Sequence, residues 1–457
     1  MHVSEQKRQQ IIAKVVAIVE SFIDAHGASE APESQLYVAE HRALDCARRI
    51  GRVVLQAEVD ALGSGHCGQW HEDEDGVRRK FNRYAPKSYE TVVGPITVQR
   101  ALYHQKGARP ACRCPIDAVL GVSSGGYSRG LEEVIALAAT TDVYRQGLRL
   151  IYRLTGVNVS VHKAERTVAA WGAEAKKKVR TAAEQPETLR ARIAATQPIQ
   201  GLRMCVTTDG TSVQTTERWR DAKLVAAYAF DATGQKVGGA DYAGTLNYQD
   251  DYPLLLWALM ERTKASRAET LVWLGDGAHW VWNQQATVAP HAVAIVDFFH
   301  AADRLWQVGR ALYRGVGDQR KARAWSKRWI GKLYKGQVTA LVRTLAQWRE
   351  RLGPPPKDAL EDDPRQVVSS AHTYFRRNVR RMNYPEYRAQ GYPIGSGVIE
   401  SACRHIVGLR MKRTASMAWS EANAEAMLQL RCLSEGDAWD TFWGIDTLRP
   451  YTNHKVA

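Results

Sequence analysis

GLRMCVTTDGTSV (201–213), KLVAAYAFDA (223–232), KVGGADYAGTL (236–246), LVWLGD (271–276) and HAVAIVDF (291–298) are five short runs bounded by turn-forming residues. Their β-branched and aromatic content reads as strands. Between the third and fourth lies a helical pattern through Leu254, Leu255, Leu256, Leu259 and Met260. A short helix separates the last two strands, and another is entered at His300. The order is therefore three strands, helix, strand, helix, strand, helix, which predicts an α/β domain with a mixed sheet starting near Gly201.

Outward from this segment the pattern changes. Residues 301–390 read as a helical insertion interrupted by GPPPKDALEDDPRQ (353–366), after which 391–435 return to the α/β domain. Residues 301–350 hold 12 Lys+Arg against 3 Asp+Glu, interleaved with Trp306, Trp325, Trp329 and Trp348. Cations of this kind suit a phosphate backbone, while indoles either stack on exposed bases or pack as core; the core reading is preferred for the tryptophans.

Towards the N-terminus, residues 1–87 are expected to be mainly helical, with apolar spacing through Ile11, Val15, Ile18 and Phe22 and again through Leu44, Ile50 and Val54. Residues 88–127 read as a small hairpin module around a Gly94-Pro95 turn. VYRQGLRLIYRLTGVNVSVHKAERTVAAWG (143–172) has the form helix, turn at Gly156, and second helix capped by Ser160. A helix-turn-helix can lay its second member in a major groove, placing His162, Lys163 and Arg166 near DNA, although paired helices are usually plain architecture. The region 128–200 then closes in a linker carrying two prolines, and 436–457 form a tail.

The chain has 457 residues, 45% of them hydrophobic and 24% charged, which is a globular rather than a disordered composition. A formal charge of +15 favours a polyanionic partner. Without an apolar signal region or an eighteen-residue apolar run, the expected location is the cytoplasm, with no membrane partner. Seven scattered cysteines fit a reducing compartment better than a disulfide framework.

Three acids stand where phosphodiester chemistry would need them. Asp209 is read as closing the strand RMCVTTD before Gly210, and Asp276 follows LVWLG between two glycines. Glu400 lies in YPIGSGVIESACRHIVGLRMKR (392–413), a glycine-rich entry into a helix carrying Arg404, Arg410, Lys412 and Arg413, which are read as phosphate ligands. Asp before Gly is commonly a turn former, and Glu at a helix start commonly serves the dipole. The combination is what points to paired Mg²⁺ or Mn²⁺ ions held by hard oxygen ligands.

TTDGTSV, WLGDGAHWVW, IVDFFHAADRLW, YPIGSGVIES, GLRMKRTASMAWSEANAEAMLQLR and PIDAVLGV together resemble the motifs of ISKra-type insertion-sequence transposases of the DDE class, over roughly residues 90–435. The resemblance, like the strand order by analogy, implies a ribonuclease H-like catalytic domain with a helical insertion before the final Glu. It further implies two divalent ions per site, action on double-stranded DNA at terminal inverted repeats and at a target, and at least a homodimer on DNA near the nucleoid. Asp209, Asp276 and Glu400 match the catalytic and metal-binding acids. Asp297 and His300 resemble the pair that follows the fifth strand in related transposases; they are expected to support the acids or contact DNA, with Asp297 in reserve for Asp276, and Arg304 joins the DNA-contacting set. His279 and the AHWVW aromatics read as structural. Where relatives often carry paired cysteines for zinc, this chain has only Cys112 and Cys114 beside Cys67, His66 and His104, and the Cys-x-Cys spacing argues against zinc. A metal-dependent nuclease and a DNA-binding regulator are the competing functions.

Overall fold

A computed structural model describes residues 5–24, 35–122, 125–182, 191, 197–249, 251–314, 318–414 and 417–445. Most of the linker and all of the tail beyond 445 lie outside the described residues. The chain divides into two compact units, Met1–Val168 and Ala169–Ala457.

In the first unit, α1 (Glu5–Asp24) and α2 (Gln35–Ala61) form the expected helical start. The helical reading of 1–87 fails beyond that point. β1 (Trp70–Glu72), β2 (Arg78–Tyr84), β5 (Ala101–His104) and β6 (Cys112–Arg113) pair as an antiparallel sheet. Strand β2 reads RRKFNRY and is mostly solvent-facing, so its apolar alternation is too thin to be seen in the sequence. The hairpin β3 (Lys87–Thr91) and β4 (Gly94–Val98) is present, but Thr91 pairs with Gly94. The turn is therefore Val92-Val93, and Gly94, at φ +106°, follows it.

Helix α3 (Pro115–Val119) leads to α4 (Arg129–Thr141), α5 (Tyr144–Thr155) and α6 (Val161–Ala182). Gly156 ends α5 in the left-handed region at φ +71°, and the Ser160 hydroxyl accepts the Lys163 N–H at 3.3 Å, so both expected helix signals are used. Leu131, Ile135, Ile151, Val157, Val159 and Ala164 form the core beneath this turn.

The second unit is built on a five-stranded mixed sheet ordered β11-β10-β7-β8-β9. Its strands are β7 (Ile199–Gln214), β8 (Trp219–Phe230), β9 (Lys236–Thr245), β10 (Ala268–Gly275) and β11 (Val293–Val296). β8 runs antiparallel to both β7 and β9, while β10 is parallel to both β7 and β11. Helices α7 (Tyr252–Arg262), α8 (His279–Val288) and α9 (Phe298–Leu312) follow β9, β10 and β11 in the expected order. The sheet is apolar throughout its centre, with Val206, Leu224, Val225, Val272, Trp273, Leu274 and Ile295 fully buried.

After α9 come α10 (Gln319–Tyr334), α11 (Val338–Leu352), α12 (Pro364–Asn378) and α13 (Tyr384–Ala389), which are the expected helical insertion. Trp329 is buried, and Trp306, Trp325 and Trp348 are half-buried, in keeping with a packing role. The chain returns through α14 (Gly397–Ala402), a π-helix (Cys403–Gly408), the short α15 (Leu409–Met411), α16 (Glu421–Glu435) and α17 (Trp439–Trp443). Among the described residues no helix is long and apolar enough to cross a membrane.

Candidate active site

The parallel pairing of β7 with β10 ends at Thr208 opposite Gly275. Asp209 is the next residue of β7 and Asp276 the next residue after β10, so the two acids emerge from adjacent strands at one edge. Asp297 follows β11 in the same way. Asp209 does not close its strand as the sequence suggested, because β7 continues to Gln214 paired with β8. What ends at Asp209 is the neighbour on the other side, and that end leaves the carboxylate open at the C-terminal edge of the parallel strands, where α/β sheets bind ligands.

Asp209 is half-buried; its Oδ1 accepts the Gly210 N–H at 2.7 Å, and the Cys403 thiol lies 3.7 Å from Oδ2. Burial raises its pKa above the ordinary aspartate value, with the neighbouring Asp276 charge adding to the rise while the Gly210 N–H and His300 oppose it. Burial and the Asp209 charge also raise the Cys403 thiol, keeping it an S–H donor. Asp276 Oδ1 accepts the Ala278 N–H at 2.9 Å across Gly277, which adopts φ +96°. Only glycine holds that conformation without strain.

Asp297 is fully buried and caps α9 through the His300 N–H at 2.6 Å, while its other oxygen accepts the Ser396 N–H. Burial alone would raise its pKa, but the bonds from His300 and Ser396 outweigh it and hold the group below the usual range. His300 Nδ1 stands 3.4 Å from Asp297 Oδ1 and 3.5 Å from Glu400 Oε1. Contact with Asp297 pushes the imidazole up to about 9, against burial and with further help from Glu400 and Asp209. It is therefore a cation at neutral pH. Glu400 is exposed on α14, with Oε1 held by the Ser396 hydroxyl at 3.0 Å.

Among the described residues, Asp297, His300 and Glu400 offer ligand atoms within 4.8 Å of one another. The trio is cross-linked by its own contacts: Asp297 accepts two backbone N–H groups, and His300 stands between it and Glu400. It works as a brace that ties the start of α9 to the Ser396–Glu400 turn. Asp297 thus links the start of α9 to Ser396. Asp209, Asp276 and Glu400 are not drawn together as closely.

Of the cations expected near Glu400, Arg404 and Arg413 are exposed, and Lys412 donates to Thr211 Oγ1 at 2.6 Å on β7. Arg410 is a correction: it is buried and its guanidinium lies 5.0 Å over the Trp419 ring, so it packs the interior instead of facing phosphate. The π-helix has more residues per turn than an α-helix, so positions counted at α spacing from Glu400 do not share its face. Arg304 lies 4.3 Å over the Tyr374 ring. At the start of α6, His162, Lys163 and Arg166 are exposed, with Lys163 Nζ 4.8 Å over Tyr127.

His279 is exposed and bonded to Arg377, while Val281 and Trp282 of the AHWVW run are buried. His66 meets the Phe81 ring edge-on, and Cys67 and Cys112 are exposed. Sequence reading missed Ser396, Cys403 and Arg431. Arg431 is buried on α16 and donates to the Ile406 carbonyl at 3.0 Å and to the His405 carbonyl, fixing the π-helix after Glu400. Only the GSG around Ser396 carried a local signal. Comparison with protein-family models and with curated proteins finds no match.

Proposed function

We propose that this chain is a DDE-type transposase that binds the terminal repeats of an insertion sequence and catalyses DNA strand cleavage and strand transfer. The observation that carries the reading is the emergence of Asp209 and Asp276 from adjacent strand ends, with His300 between Glu400 and Asp209 in electrostatic reach of both. The strand order, with three antiparallel strands followed by two parallel ones, supports a ribonuclease H-like domain.

The donor set fits Mg²⁺ or Mn²⁺: three carboxylates and no thiolate, with Asp209 half-buried and its pKa raised by burial and by the neighbouring Asp276 charge. Asp209 and Asp276 would hold one ion, and Asp209 and Glu400 the other. A shared first acid means the three need not close round a single ion, in keeping with their open spacing. When bound, such ions activate the attacking oxygen and steady the departing 3′ oxygen. The chain's own residues do the rest. His300 keeps its proton and offsets part of the carboxylate charge, and Ser396 aims Glu400. Lys412 lies two positions along β7 from Asp209 by way of Thr211, and exposed Arg404 and Arg413 offer cations to the phosphates of double-stranded DNA.

The test is incubation of wild-type and Glu400→Gln proteins with Mg²⁺, linear DNA carrying the element's ends and a plasmid target. Products joined by wild type alone are expected. Cleavage without joining would replace this reading with a metal-dependent nuclease, and binding with neither reaction would replace it with a DNA-binding regulator.

A further inference from the structure

One helix of the insertion, α12, reaches the loop that carries Asp276. From α12, the Tyr374 hydroxyl donates to the Asp276 carbonyl at 3.0 Å, and Asn378 Nδ2 donates to the Gly277 carbonyl at 3.3 Å. Arg377 lies 3.0 Å from His279 Nε2, where the guanidinium can only donate and the ring nitrogen must accept. Residues 374, 377 and 378 share one face over a single turn, and their targets run from 276 to 279. The fit is also steric. A Cβ on Gly277 would stand 2.5 Å from the Tyr374 ring, so the ring occupies the space that the glycine leaves. Tyr374 is itself buried beneath the Arg304 guanidinium, and Asn378 Nδ2 also bonds the Tyr374 carbonyl, so the donors are fixed before they meet the loop.

The stretch Asp276–His279, three loop residues with a left-handed glycine and the first residue of α8, has little of its own to hold it in place, since it lies beyond the β10 pairing. Without an outside partner, the Asp276 carboxylate would depend on its bond to the Ala278 N–H alone. We propose that α12 is the brace of the Asp276–His279 loop, making Tyr374 and Asn378 positioning residues for the Asp276 carboxylate. The inference rests on the metal-site reading of Asp276. It gives the insertion a role at the reacting end of the sheet, separate from any contact its basic surface makes with DNA.

Two readouts test it on the full chain: hydrogen exchange across residues 274–282, and Mn²⁺ binding followed by loss of the free-ion paramagnetic resonance signal. Tyr374→Phe keeps the ring against Gly277 and removes only the hydroxyl; Asn378→Ala removes the second donor. In the double variant the loop should exchange several-fold faster and Mn²⁺ should bind roughly tenfold more weakly, the equivalent of one or two lost hydrogen bonds. Exchange in β7 and β8 should be unchanged, which separates the effect from general loosening. Unchanged loop exchange overturns the brace, and faster exchange with wild-type Mn²⁺ affinity overturns the positioning role. If wild type itself binds no Mn²⁺, the metal-site reading and the positioning role fall together, while the exchange arm still decides whether α12 braces the loop.

Discussion

Asp209, Asp276 and Glu400 differ in their surroundings, and the differences bear on their predicted sensitivity. Replacing each with its amide keeps shape and removes charge. Each such variant should lose about 10³-fold or more of its strand-joining rate, the scale of a lost cation ligand, with its melting temperature little changed. Rate and calorimetry on the same samples check this; a fully active Asp276→Asn protein would remove Asp276 from the site. His300 gives a second test through pH. Its folded pKa is raised to about 9 from 6.5, so the stabilisation it provides is fully present below about 6.5 and lost as pH rises through about 9. In chelator, the difference in denaturation midpoint between wild type and His300→Gln should be largest near pH 6 and should shrink by pH 10; a difference independent of pH would contradict the ion pair. Residue identity alone could mark Asp297 as an acid after the fifth strand, but not that it caps α9 and accepts the Ser396 N–H.

At the level of elements, the order of strands and helices along the chain was legible because each strand is a compact apolar run with its own turn residues. The end of pairing at Asp209 was not legible, since β7 continues and only β10 stops. Polar strands β1 and β2 were missed for lack of an apolar face. The π-helix gave no local signal either, because its shape depends on Arg431 from a distant helix. Arg431→Met should therefore cost about 2–4 kcal/mol, leaving the His405 and Ile406 carbonyls and Glu435 without their cation, and denaturant unfolding would measure it. Close approach of α6 to α16 makes a parallel case. A Cβ on Gly172 would stand 2.4 Å from Ala426 Cα, backbone that cannot swing away. Gly172→Ala should destabilise by about 1–3 kcal/mol, although alanine is ordinarily the better helix former; an equal or higher stability would show that the two helices can part.

For the molecule as a whole, a formal charge of +15 would set the form of the proposed DNA binding more than its sequence preference. Affinity should fall steeply with salt, and each exposed cation that meets a phosphate should account for about 0.9 of the slope of log K against log salt. Neutralising Arg404 and Arg413 together is expected to lower that slope by about 1.8, measured by fluorescence anisotropy across a salt series. Composition points to the proposed partner, and the acids to the proposed chemistry. Neither could show that Asp209 and Asp276 stand at one sheet edge, which is a property of the parallel pairing of β7 with β10.

The central claim is that Asp209, Asp276 and Glu400 share bound cations. Fe²⁺ can take the place of Mg²⁺ and, with ascorbate and peroxide, cut the backbone beside its ligands. The account predicts fragments ending near residues 209, 276 and 400, suppressed by excess Mg²⁺ and lost in Asp209→Asn. Cuts clustered at Cys67, Cys112 and Cys114, or no localised cuts, would contradict it.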